Sequence, residues 1–109
     1  MSNVLDFNKV KKNFLRVILP DEQRTEIRVL TPTKSLLTEL TTMLPEGGET
    51  PTEDDINALY AFCARLMSRN REGLAVTGEQ LADCLDFEDL MTFLDTYTTF
   101  VTGLTDSKN

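Results

Sequence analysis

Thr25-Glu26-Ile27-Arg28-Val29-Leu30 alternates polar and apolar side chains with period two, and every apolar pattern after it has helical spacing instead. Just upstream, Phe14-Leu15-Arg16-Val17-Ile18-Leu19 is short and rich in strand formers. Pro20-Asp21-Glu22-Gln23-Arg24 lies between the two runs and has turn chemistry: proline fixes φ and removes a donor. The pair predicts an antiparallel β-hairpin over 14–30, with Ile27 and Val29 facing the core. A lone hairpin is marginal in water, so it needs a helix or a third strand over it. A third strand would come from residues 1–12 or from another copy; helices follow in the same chain. Strands first and helices afterwards specify an α+β class, not a parallel α/β sheet.

Four helices are expected. Thr31 as N-cap and Pro32 in the first turn open one over 32–44, with Leu36, Leu37, Leu40, Met43 and Leu44 on its apolar side. Pro45-Glu46-Gly47-Gly48-Glu49 is a loop; no Gly-Lys-Ser or Gly-Lys-Thr follows, which excludes a phosphate-binding Walker loop. Thr50-Pro51 opens a second helix over 51–71, and Glu53 is placed to complete a capping box. Its buried face is Ile56, Leu59, Tyr60, Cys63, Leu66 and Met67. Arg65, Arg69 and Arg71 sit near its far end, where the helix dipole favours positive charge, and Gly73 marks the stop. Thr77 and Gln80 box the start of a third helix over 78–85, and Asp86 caps a fourth over 87–104. One domain of 109 residues is the natural reading, with residues 1–12 as an arm anchored by Leu5 and Phe7.

Chemistry is hard to place on this chain. It has no histidine, which removes the commonest general base and metal ligand. Two cysteines, Cys63 and Cys84, are too few for a disulfide framework, and both fall within apolar helical patterns as buried thiols. The acidic clusters Glu53-Asp54-Asp55 and Asp86-Phe87-Glu88-Asp89 occupy helix caps and first turns, where carboxylates satisfy free N–H groups. No EF-hand spacing is present. An enzyme is therefore the least favoured class, and no metal or cofactor is expected. No apolar run approaches the roughly 20 residues that span a bilayer.

The net charge of −7 is distributed unevenly. Six basic against four acidic residues give positions 1–31 a charge of +2, so 32–109 carry −9. From Glu79 to Ser107 there is no lysine or arginine. Nucleic acid is bound by neutralising phosphates, and a reading helix that offers Asp86, Glu88, Asp89 and Asp95 is the wrong sign for that. The last helix is apolar over more than one stripe: Phe87, Leu90, Leu94, Tyr97, Val101 and Leu104, with Met91, Phe93 and Phe100 beside them. Either it is a central helix enclosed by its own domain, or Phe93, Tyr97, Phe100, Val101 and Leu104 form a surface for self-association or a partner.

Four segments in order carry a resemblance: Leu5-Asp6-Phe7-Asn8-Lys9, Thr31-Pro32-Thr33-Lys34, Ala64-Arg65-Leu66-Met67-Ser68-Arg69-Asn70 and Asp86-Phe87-Glu88-Asp89-Leu90. Together they resemble the tail assembly chaperones of long-tailed, siphovirus-type bacteriophages and prophages. The resemblance implies a self-associating protein of the bacterial host cytoplasm. It would bind the phage tape measure protein, keep that long client soluble until tail tube subunits assemble around it, and be missing from the mature virion. The family has no catalytic residue to carry over. Two other classes remain: a small structural head–tail or tail component of the virion, and an acidic inhibitor that mimics DNA.

Overall fold

The computed structural model describes residues 3–7, 12–43 and 52–106, with side chains through Gly103. An antiparallel hairpin of β1 (Phe14–Ile18) and β2 (Glu26–Leu30) is followed by α1 (Lys34–Met43), α2 (Glu53–Ser68), α3 (Gly78–Cys84) and α4 (Phe87–Asp106). The architecture is α+β, as the segregated patterns require. Phe14 pairs with Leu30, Arg16 with Arg28 and Ile18 with Glu26. The turn is held by Asp21, whose carboxylate accepts from the Thr25 amide at 2.8 Å and the Thr25 hydroxyl at 2.7 Å. Arg24 takes φ +50 in that turn, a left-handed conformation that disfavours a side chain.

Period two puts Ile27 and Val29 on one face of β2, and both are fully buried against α2. α2 is the centre of the molecule. Phe62, Cys63, Leu66 and Met67 leave it on more than one side and meet the hairpin, α3 and α4. Leu81 from α3 and Leu90, Leu94 and Tyr97 from α4 complete the same core. Ile56 and Tyr60 are half-buried, and Phe62 and Ala64 are buried in their stead. A helix enclosed on several sides has no single apolar stripe, so one helical period under-counts its core. Leu36, Leu40 and Met43 of α1 pack inward, while Leu37 is exposed.

Helix boundaries differ from the sequence expectations for identifiable reasons. α1 starts at Lys34 because Thr33, not Thr31, is the cap: its hydroxyl accepts from the Leu36 amide at 3.3 Å. Thr31 cannot serve, since its carbonyl receives the Arg69 guanidinium Nε at 3.0 Å beside the end of β2. α2 is capped by Thr52, with Asp55 closing the box, so Glu53 is the first helical residue and not the box partner. α2 ends at Ser68 because residues 69–71 turn away to pair with β2. Gly73 stands five residues further on, in a turn with φ +72. The Thr77–Gln80 box opens α3, which ends at Cys84 with Leu85 as its C-cap. α4 runs through Gly103 to Asp106, two residues beyond the expected end. Leu44, the glycine loop at 45–49 and Thr50-Pro51 lie outside the described residues.

A candidate interaction surface beside the first strand

Half of the carboxylates in the two acidic clusters are occupied as helix caps. Asp55 closes the α2 cap, and Asp86 and Asp89 cap α4 reciprocally: the Asp89 amide donates to Asp86 at 2.8 Å and the Asp86 amide to Asp89 at 3.1 Å. Among the described residues no three His, Cys, Asp or Glu side chains are grouped to hold a metal ion. Burial pushes the Cys63 thiol up to about 12, and Cys84, half-buried and near Asp21, Asp83 and Asp89, is raised too. Neither is a ready thiolate at neutral pH. Among the described residues no helix is long and apolar enough to cross a membrane.

The two edges of the hairpin differ. On β2 the outward backbone groups of Arg28 and Leu30 are taken. The Leu30 amide donates to the Arg69 carbonyl at 2.7 Å, the Arg71 amide donates to the Arg28 carbonyl at 3.0 Å, and Val29 forms a β-bridge with Asn70. The Arg28 amide donates to the Glu72 carboxylate at 2.9 Å, and the Tyr97 hydroxyl donates to the Leu30 carbonyl at 2.9 Å. The cover on the β2 side of the hairpin thus comes from the segment after α2.

In an antiparallel ladder a residue's N–H and C=O point the same way, and direction alternates along the strand. Since Arg28 and Leu30 point outward from β2, their partners Arg16 and Phe14 point outward from β1, and Ile18 with them. Among the described residues no backbone group pairs with that edge. β1 therefore presents an unused row of donors and acceptors. Beneath it is a groove of about 340 Å³ between β1 and α4. Leu15 and Val17 form one wall, Phe93, Thr92 and Thr96 the other, and Met67 lies in the lining. Leu15 and Val17 are half-buried core-side residues, left partly open because no described residue pairs beyond β1.

α4 divides into two sides. Tyr97 is fully buried and offers no free face for self-association, while Phe93, 8% exposed, is mostly taken by the domain's own core and shows only the edge that lines the groove. Phe93 stacks on Tyr97 with centroids 5.6 Å apart, and Phe100 tilts against Tyr97 at 5.9 Å. Phe100 and Val101 are half-buried at the core margin; the Leu104 side chain lies outside the described residues. The other side is acidic. Asp86, Glu88, Asp89 and Asp95 are all exposed, and Glu88 and Asp95 make no ion pair among the described residues. The arginines at the end of α2 do not act as one cluster: Arg65 pairs with Glu39 at 2.9 Å, Arg69 reaches Thr31, and Arg71 lies over the Phe14 ring.

Two features escaped the sequence reading. The groove depends on which edge of the hairpin stays open, and a strand's sequence does not state that. Asn70 is buried and bonds on both sides of its amide: it donates to the Met67 and Leu74 carbonyls, each at 2.8 Å, and accepts from the Leu74 amide at 2.9 Å. It shapes the segment that covers β2, and an Asn after a helix followed by Gly73 was the available signal. No family model, no characterised protein and no solved structure matches this chain.

Proposed function

We propose that this chain is a tail assembly chaperone of a long-tailed bacteriophage or prophage. It acts in the bacterial host cytoplasm, binds the tape measure protein in many copies and is left out of the mature virion. The observation that supports this best is the acidic side of α3 and α4. Glu79, Asp83, Glu88 and Asp95 are exposed, make no ion pair among the described residues, and lie in a stretch without lysine or arginine. Many copies on one client would surround it with negative charge, and repulsion between coated clients opposes their aggregation. The resemblance in the four segments named above points the same way. A coat of many copies also needs a contact between copies, and an open strand edge over an apolar groove is a surface of that kind.

Co-expression with the tape measure protein of the same phage or prophage tests the reading. The client should become soluble and elute with several copies of this chain, and mass spectrometry of purified particles should not find the chain. A client that stays insoluble, or a chain retained in the particles, sinks the proposal; the second result favours a structural tail component.

A further inference from the structure

From the open edge of β1 and the arm at residues 3–7, we infer that copies of this chain join by strand addition: Leu5-Asp6-Phe7 of one copy pairs with β1 of the next. The inference deepens the expected self-association and is read with no client present, so its failure and that of the chaperone reading are separable.

Three independent observations meet at this contact. The arm offers what the groove lacks. Leu5 and Phe7 are each 69% exposed, whereas a strand folded back on its own β1 would have buried them. Apolar, polar, apolar is the period of a half-buried strand, so Leu5 and Phe7 share a face and Asp6 takes the other.

The receiving edge has the matching layout. Its outward N–H and C=O groups belong to Phe14, Arg16 and Ile18, and its core-side neighbours Leu15 and Val17 form a wall of the groove. A strand added there puts Leu5 and Phe7 over Leu15, Val17 and Phe93, and completes the partial burial of the two β1 residues. Asp6 then falls on the outer sheet face, where Arg16 already pairs with Glu26 of the same hairpin, so the apolar contacts and the backbone ladder, not a new ion pair, carry the contact.

Charge favours contact between copies. Lys9, Lys11 and Lys12 against Asp6 give residues 1–12 a charge of +2, and −9 remains on the rest. The groove rim carries Asp89, and Asp95 lies on the same helix. A basic arm docking on an acidic body is attractive at each contact, although whole chains repel. Each copy offers one arm and one edge, so the contact is head-to-tail and extends into a chain of copies unless its rotation closes a ring. Such a chain suits a coat along a long client.

The test is light scattering of the purified full chain, run over a concentration series without client. The wild type should show a mass that rises with concentration. The double variant Leu5→Asp/Phe7→Asp should lose association and run as a single chain. Arg16→Pro should do the same: it removes an outward N–H that the hairpin does not use, and edge strands tolerate proline there. Circular dichroism checks that each variant is folded, and the arm variant stands alone if Arg16→Pro is not. Direction is read by disulfide trapping in a Cys84→Ala background, with Phe7→Cys on one tagged copy and Thr92→Cys on another. A covalent pair of differently tagged copies supports the inference. A wild type that is monomeric throughout, an arm variant that keeps the wild-type mass, or a Phe7→Cys/Thr92→Cys chain that closes only on itself overturns it.

Discussion

The hydroxyl of Tyr97, midway along the last helix, donates a hydrogen bond to the carbonyl of Leu30, the last residue of β2, at 2.9 Å. It joins the end of the chain to the hairpin at its start, across 67 positions of sequence. The ring is fully buried and the hydroxyl would be unsatisfied without that carbonyl. Tyr97→Phe keeps the packing and removes the bond, and should destabilise the fold by about 1–2 kcal/mol. Urea unfolding measures this; an unchanged midpoint would show that water replaces the hydroxyl freely.

Asn70 is a more demanding position, because its amide closes three hydrogen bonds in a buried turn. Asn70→Ala leaves the Leu74 amide and two carbonyls without their partner. A loss of roughly 2–3 kcal/mol is expected from uncompensated buried polar groups. Hydrogen exchange should quicken at the Leu30 and Arg71 amides, whose hydrogen bonds join β2 to the segment that Asn70 holds. Exchange that quickens evenly over the whole molecule would instead mean global destabilisation alone.

Stability should fall in alkali. Burial holds Cys63 and Tyr97 up at about 12, from ordinary values of 9.0 and 10.0. Below pH 9 both are protonated whether folded or unfolded, and neither contributes a pH dependence. Above it the unfolded chain releases protons that the folded one retains, so the unfolded state gains. Each group lowers stability by roughly 1.4 kcal/mol per pH unit, Cys63 from pH 9 and Tyr97 from pH 10, until the folded groups ionise near 12. Urea midpoints at pH 8, 9.5 and 11 read the slope, which Cys63→Ala should flatten. A midpoint constant up to pH 11 contradicts this.

Helix capping and bare surface charge can be separated by mutation. Thr77→Ala breaks the α3 capping box and should cost about 1 kcal/mol. Glu88→Lys with Asp95→Lys leaves every cap intact, so thermal stability should barely change. The same pair should reduce the soluble fraction of a co-expressed tape measure protein, if charge repulsion solubilises the client. Undiminished client solubility would remove charge from the mechanism.

The hairpin turn holds a small reserve of stability. Arg24 sits at φ +50, where a Cβ is disfavoured, and glycine relieves that contact. Arg24→Gly should gain up to about 1 kcal/mol, less whatever entropy glycine adds to the unfolded chain. A loss of stability would show that the Arg24 side chain makes up for its conformation.

Local chemistry was legible in the sequence wherever neighbours along the chain decide it. Period two gave the hairpin and the inward faces of Ile27 and Val29. The Thr77–Gln80 box and the Asp86 cap marked helix starts from side chains three residues apart. Net charge and its bias toward the second half also needed no structure. Tertiary contacts decided the rest. α2 stops at Ser68 because residues 69–71 find β2, a partner about 40 positions earlier, and no local signal reports such a partner. α4 had two readings from its pattern alone, and packing against α2 and β2 settled where Phe93 and Tyr97 lie. Which hairpin edge stays open followed from the same event: one segment can cover only one edge, so covering β2 left β1 and its groove exposed. Periodicity records which side of an element is apolar, but only the folded chain determines what is available to cover it.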